Sequence, residues 1–230
     1  MSICVIPARG GSKRIPRKNI RLFHGQPMIS WSINAAVSSG CFEQIVVSTD
    51  DDEIAQISQE CGAEATFRRS SNLADDHTPI VPVIADAISQ LDIGANTPVC
   101  CLFATAPFVM PADLKTSFNQ LKKTKAPFVF SVTKYGFPIQ RALRRKKSGE
   151  IEMLDPRHTL TRSQDLEEAW HDAGQFYWGL AKAWTSGQAV FEKGAQGVPL
   201  PRYCVQDIDT EEDWRHAELI MRNLQIGDTR

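Results

Sequence analysis

Four short, nearly unbroken apolar runs recur along the chain, at residues 3–6, 44–49, 99–103 and 128–132. Strands with apolar side chains on both faces must be covered on both faces. Crossover helices between parallel strands are the usual way to cover them. Segments of helical period lie where such crossovers are needed. They fall at 28–39, stopped by Gly40, at 53–61, closed by Gly62, and at 79–91. In the last of these, Ile80, Val83, Ile84, Ala87, Ile88 and Leu91 follow the i, i+3, i+4, i+7 spacing. A further helix is marked by Leu114, Phe118 and Leu121. The pattern predicts an α/β fold: a three-layer sandwich around a mostly parallel sheet. A length of 230 residues suits one such domain, spanning residues 1–230.

The alternation breaks in an excursion at about residues 135–172. It is rich in charge, contains RALRRKKSGE and has little apolar period. It reads as a solvated excursion or a subunit-contact arm. Regular structure resumes with a strand at 174–180 and a helix at 181–187. A last strand is expected at 202–209. In the final helix Trp214, Ala217, Met221 and Leu224 share one face. Thr210 and Asp213 have the spacing of a capping box at its start.

The formal net charge is −1. No global field draws this chain to nucleic acid or to an anionic membrane, so any anion recognition must be local. The basic run RALRRKKSGE carries no interleaved aromatic platform for bases. No apolar stretch approaches the roughly 20 residues that span a bilayer, and no signal-peptide pattern precedes the first strand. The cysteines at 4, 41, 61, 100, 101 and 204 include no C-x-x-C pair, and several lie in apolar runs. They read as reduced core residues of a cytoplasmic protein. His77, His158 and His171 match no metal-ligand spacing and read as surface or hydrogen-bonded histidines.

Local anion recognition has an obvious seat. Residues 6–19 read IPARGGSKRIPRKN, straight after the first apolar run. A turn at the carboxyl end of a parallel strand is a favoured ligand position in open α/β sheets. Gly10 and Gly11 would let main-chain N–H groups approach an anion. Arg9, Lys13, Arg14, Arg17 and Lys18 would supply charge around it. A triphosphate suits such a place, although neither the P-loop nor the G-x-G-x-x-G pattern is present. Far along the chain, Asp207 and Asp209 stand at i and i+2. In a strand they would share one face, ~6.5–7 Å apart. Two hard oxygen donors suit Mg²⁺, which takes one or two carboxylates together with phosphate oxygens and water. Asp209 could instead simply favour the following helix N-terminus.

The stretch IPARGGSKRIPRKN resembles the signature of the CMP-sialic acid synthetase family. These cytidylyltransferases join CTP to the anomeric hydroxyl of acidic nine-carbon sugars and release pyrophosphate. The likeness extends to RSSNLADDHT from Arg69, to ATAP at 104–107 and to DIDT at 207–210. It implies a nucleotide-diphospho-sugar transferase type of sandwich, with the excursion serving as a dimerisation arm. It implies nucleotide contacts at Arg9, Gly10, Gly11, Ser12, Lys18, Asn19 and Arg69, and Mg²⁺ on Asp207 and Asp209. Lys18, Arg9 and Asp209 would carry catalysis. Lys18 would meet the α-phosphate or the leaving group, where charge builds during in-line attack.

The sugar is addressed by departures from the family pattern. Ala104 stands where the sialic-acid enzymes carry a glutamine that touches the sugar, and DAGQFYWG replaces an NG-x-I-Y type of segment. Both features resemble the branch of the family that acts on pseudaminic acid, a deoxy, diacylamido nonulosonic acid that suits a more apolar wall. Its products serve bacterial surface or flagellar glycans. Gln175 and Tyr177 are expected to face the sugar while Phe176 and Trp178 pack. Arg162 is expected to pair with the sugar carboxylate, with Gln164 beside it, in this chain's site or, through the arm, in a neighbouring subunit's. The alternatives are the same reaction on N-acetylneuraminic acid or another nonulosonic acid and, in a different class, a catalytically silent nucleotide-binding module. The latter would be expected to lose the basic turn or the carboxylate pair.

Overall fold

A computed structural model describes residues 2–63, 65–75 and 78–226. In chain order the elements begin with β1 (Ile3–Pro7), a small hairpin of β2 (Leu22–Phe23) and β3 (Gln26–Pro27), and α1 (Met28–Ser39). Next come β4 (Gln44–Thr49), α2 (Asp52–Glu60), β5 (Ala65–Arg68), α3 (Ile80–Gln90), β6 (Pro98–Leu102), α4 (Pro111–Thr124) and β7 (Phe128–Lys134). The chain closes with a hairpin of β8 (Leu143–Arg145) and β9 (Ile151–Met153), then β10 (Trp170–Leu180), α5 (Ala181–Thr185), β11 (Gln196–Pro199) and α6 (Glu211–Ile226).

The main sheet has seven strands in the order β11-β7-β10-β6-β1-β4-β5. β1 pairs in parallel with β4 and β6, β4 with β5, and β11 with β7. β10 alone runs antiparallel, between β6 and β7. The apolar runs fill both faces. Cys4, Ile6, Val47, Cys100 and Leu102 pack under Ile29 and Ile33 of α1, Ile54 of α2 and Leu114 of α4. Val5, Val46, Val99 and Cys101 pack under Ile84 and Ile88 of α3 and Trp184 of α5. The three predicted layers are therefore present. All six cysteines are free thiols.

Two short strands, β5 and β11, were not legible in the apolar pattern, and the strand expected at 202–209 does not form. β11 already occupies the edge beside β7, and the Leu200 N–H still reaches the Val132 carbonyl at 2.7 Å. Pro199 and Pro201 then remove ladder donors. The chain leaves the sheet through a 3₁₀ turn at Arg202–Cys204. Residues 205–209 run on without regular hydrogen bonding. Cys204 and Ile208 insert instead into a third core with Ile15, Phe23 and Phe108 and with Trp214, Ala217 and Met221 of α6. The capping box forms as expected: Asp213 N–H donates to Thr210 Oγ1 at 3.2 Å, and Thr210 N–H donates to an Asp213 carboxylate oxygen at 2.8 Å.

Candidate active site

Beyond the carboxyl ends of β1, β5 and β6 lies a cavity of about 610 Å³. Its walls include Arg9, Ser12, Lys13, Arg14, Lys18, Asn19, Arg69, Ala104 and Asp209. The basic turn, the residue after β5, the exit of β6 and the segment before α6 thus converge on one space. Asp75 and Thr78 close another side, with Thr78 N–H donating to Asp75 at 2.7 Å. Asp76 and His77, within the same RSSNLADDHT stretch, lie outside the described residues.

The basic turn is shaped by a neighbour that sequence reading did not weigh. β1 and β4 are parallel neighbours, with Pro7 opposite Ser48. Asp50 and Asp51 at the exit of β4 therefore face the turn, while Asp52 pairs with Arg68 of β5. Gly10 N–H donates to an Asp50 carboxylate oxygen at 2.9 Å, so this donor of the expected anion cradle is met by a carboxylate. A Cβ on Gly10 would come within 2.7 Å of an Asp51 carboxylate oxygen, whereas a Cβ on Gly11 would meet nothing within 4 Å. Gly10 is required by close packing, and Gly11 leaves the turn open. Asp51 also caps α2 through Ile54 N–H at 3.0 Å. Arg17, in the left-handed region at φ 55°, binds Asp51 with both guanidinium nitrogens and also reaches Glu53. Those bonds hold the Asp51 carboxyl at a pKa of about 2.

The other cations take distinct places. Arg69 is buried, donating to the Ser48 hydroxyl at 3.1 Å and the Ser48 carbonyl at 2.7 Å. Burial lowers its pKa, and the nearby Arg9 charge adds to the lowering. Asn19 is also buried, and its amide donates to the Arg9 carbonyl at 2.9 Å, which braces the turn from within. Lys18 donates to the Ile208 carbonyl at 2.6 Å and lies 3.3 Å from Asp209. The more exposed Arg14 reaches the same Asp209 oxygen at 2.9 Å.

Asp207 and Asp209 do not sit on a strand, but they stay close enough to influence one another. Crowding by surrounding protein raises the Asp207 pKa, and the Asp209 charge raises it further. Among the described residues no group of three or more His, Cys, Asp or Glu side chains converges on one point. Asp209 lines the cavity and Asp207 lies within reach of its charge; two such hard carboxylates suit Mg²⁺, which leaves most of its coordination to phosphate and water.

The residues expected at the sugar divide. Ala104 is buried and lines the cavity. Gln175 does not line it: its amide nitrogen turns to the Cys204 carbonyl at 2.7 Å. Tyr177 donates its hydroxyl to Asp172 and packs its ring at 5.5 Å from Phe103, a cavity residue. Burial, then Asp172, raises the Tyr177 pKa strongly. The pairing of β10 with β7 shifts register between Asp172 and Tyr177. Phe176 and Trp178 pack inward as expected, Trp178 stacked between Phe42 and Phe118. Arg162 and Gln164 are exposed on the excursion, away from this chain's cavity, and Arg162 pairs with Asp165 at 2.6 Å. His171 is hydrogen-bonded to the Asp172 carbonyl, His158 lies 3.7 Å from Asp155, and His77 is outside the described residues.

A family model described as Cytidylyltransferase matches residues 3–182. A pseudaminic acid cytidylyltransferase of Campylobacter jejuni is 43% identical over 96% of this chain and 96% of its own length. An N-acylneuraminate cytidylyltransferase of Oncorhynchus mykiss is 35% identical over 97% of this chain, which spans 50% of that longer protein. A solved CMP:2-keto-3-deoxy-manno-octonic acid synthetase superposes with a TM-score of 0.70 at 16% identity, covering 96% of this chain and 98% of the other. That likeness shows a shared fold of the nucleotide-sugar cytidylyltransferase type.

Proposed function

This chain belongs to the cytidylyltransferase family, and from that premise we propose that it transfers CMP from CTP to the anomeric hydroxyl of pseudaminic acid, releasing pyrophosphate. The observation that carries the chemistry is the convergence of Arg9, Lys13, Arg14, Lys18 and Arg69 on one cavity that also holds Asp209. The choice of sugar rests on the near full-length identity to the Campylobacter enzyme and on the methyl of Ala104 in the cavity wall.

The nucleotide's phosphates take the cationic side of the cavity, with Arg9, Ser12 and the rim of the glycine turn around them. Arg69 and Asn19 act from behind, Asn19 by fixing the Arg9 main chain. Lys18 is aimed from a fixed anchor, the Ile208 carbonyl. A cation held still beside the α-phosphate stabilises charge on non-bridging oxygens without reorganising during attack. Arg14 and Lys13 are set to hold the leaving pyrophosphate. Asp207 and Asp209 are the residues that would hold Mg²⁺, which when bound neutralises phosphate charge and favours ionisation of the sugar hydroxyl.

The excursion serves a second copy of this chain. Phe137 and Leu160 are 86% and 95% exposed there, with Leu143, Ile151 and Leu154 also open. A set of apolar side chains that dense suits an intersubunit surface. In such a homodimer Arg162 and Gln164 would serve the partner's site. Among the described residues no helix is long and apolar enough to cross a membrane. The free thiols suit a reducing cytoplasm. The product is an activated sugar donor for surface or flagellar glycosylation.

The test is direct. Purified protein, CTP, Mg²⁺ and pseudaminic acid should yield a CMP-linked sugar by mass spectrometry and one pyrophosphate per sugar consumed. Absence of both products would remove the proposal.

A further inference from the structure

Gln175 is almost fully buried, at 3% exposure, yet carries a polar side chain with only one end engaged. Its amide nitrogen donates to the Cys204 carbonyl at 2.7 Å, while its Oε1 is buried without a hydrogen-bond partner among the described residues. An apolar side chain would avoid the penalty of that unmet acceptor. A residue that keeps such a penalty calls for an account beyond stability.

Its main chain is fixed on both sides. Phe103 N–H donates to the Gln175 carbonyl at 2.9 Å, and Gln175 N–H donates to the Ser131 hydroxyl at 3.3 Å. Phe103 immediately precedes Ala104, and both line the cavity. Gln175 is therefore tied by its main chain to the sheet wall and by its side chain to Cys204. From Cys204 the chain runs irregularly through 205–209 and delivers Asp207 and Asp209. The downstream anchors of that run belong to other parts of the molecule. Lys18 of the basic turn holds the Ile208 carbonyl, and Asp213 of α6 receives the N–H groups of Asp209 and Thr210.

We infer that Gln175 is a positioning residue for the Asp207–Asp209 pair, acting through the Cys204 carbonyl to fix that pair relative to the Phe103–Ala104 wall. This rests on the reading of the two aspartates as the metal ligands. An irregular segment sets ligand geometry only through the contacts that hold it, and outer contacts of this kind commonly alter metal affinity by about 10–100-fold.

The test uses the full chain with Mn²⁺ as a paramagnetic stand-in for Mg²⁺, with its binding followed by electron paramagnetic resonance in the presence of CTP. Gln175→Met keeps side-chain length and removes both the donor and the unmet acceptor. Gln175→Leu removes the amide altogether, and with it the bond to the Cys204 carbonyl. In either variant, Mn²⁺ should bind about tenfold more weakly. CTP affinity measured by calorimetry in EDTA should stay within about twofold of the unmodified chain, because the cationic turn is untouched. Unchanged Mn²⁺ affinity in a folded variant overturns the inference. So does an equal weakening of Mn²⁺ and metal-free CTP, which marks a general loosening, or a raised KM for the sugar with Mn²⁺ binding intact, which marks Gln175 as a sugar contact. The parent reading is judged separately. If Asp209→Asn binds Mn²⁺ as well as the unmodified chain, the metal assignment fails and the inference goes with it.

Discussion

The Lys18 ammonium lies 3.3 Å from the Asp209 carboxylate and 2.6 Å from the Ile208 carbonyl, bridging the start of the chain to a segment nearly two hundred residues later. The bridge places a fixed cation at the lip of the cavity. Lys18→Met should therefore cut kcat by about 100-fold or more, as removal of a preorganised charge does. The melting temperature should fall little, because Lys18 stands at the edge of the core. A loss confined to the KM for CTP would instead make Lys18 a ground-state binding residue.

Gly10 and Gly11 should respond differently to the same substitution. An added Cβ at Gly10 meets Asp51 at 2.7 Å, and Arg17 together with the α2 cap prevents Asp51 from moving away. Gly10→Ala should cost about 1–3 kcal/mol in urea unfolding and should weaken CTP binding. Gly11→Ala, with open space around its Cβ, should be near neutral in stability. Equal effects at both positions would contradict the packing account.

The Asp51–Arg17 pair sets an acid dependence. Hydrogen bonds from Arg17 are the main cause of an Asp51 pKa of about 2, below its unfolded value. A depressed carboxyl pKa gives stability that is present above the unfolded value of about 3.9 and lost as pH falls through the folded one. Asp51→Asn keeps an N-cap and removes the charge. The stability gap between the unmodified chain and Asp51→Asn should be about 1–2 kcal/mol at pH 6, after allowance for the pair's exposed face. It should close between pH 4 and pH 2. A gap that widened on acidification would contradict the assignment.

The exposed apolar side chains of the excursion should be covered in solution. Light scattering after size exclusion should give twice the 25.6 kDa chain mass. Phe137→Asp with Leu160→Asp should give the single-chain mass, with catalysis reduced if Arg162 serves a neighbouring site. A single-chain mass for the unmodified protein would remove the dimer.

Much of this was legible in the sequence because it depends on local pattern. Uninterrupted apolar strands mark a sheet buried on both faces, and the helix through Ile84 and Ile88 covers one of those faces. The basic turn was legible for the same reason, since its glycines and charges are adjacent. The placement of Asp50 and Asp51 against that turn was not, because it follows from the register of β1 and β4 rather than from spacing. A run of three acids after one strand and five bases after another was the available signal. The expected strand at 202–209 failed chiefly because β11 had already taken the sheet edge, which spacing does not reveal, although Pro199 and Pro201 were a local sign against it. Gln175 illustrates the same limit: no local pattern shows that its amide reaches the Cys204 carbonyl, far along the chain.

The most direct measurement is a side-by-side rate of pyrophosphate release from CTP and Mg²⁺ with pseudaminic acid and with N-acetylneuraminic acid. With Ala104 in the cavity wall, kcat/KM should favour pseudaminic acid by at least about tenfold, the scale of a few lost or mismatched contacts. An equal or greater value with N-acetylneuraminic acid would contradict the assignment of the sugar, and no release with either would contradict the assignment of the reaction.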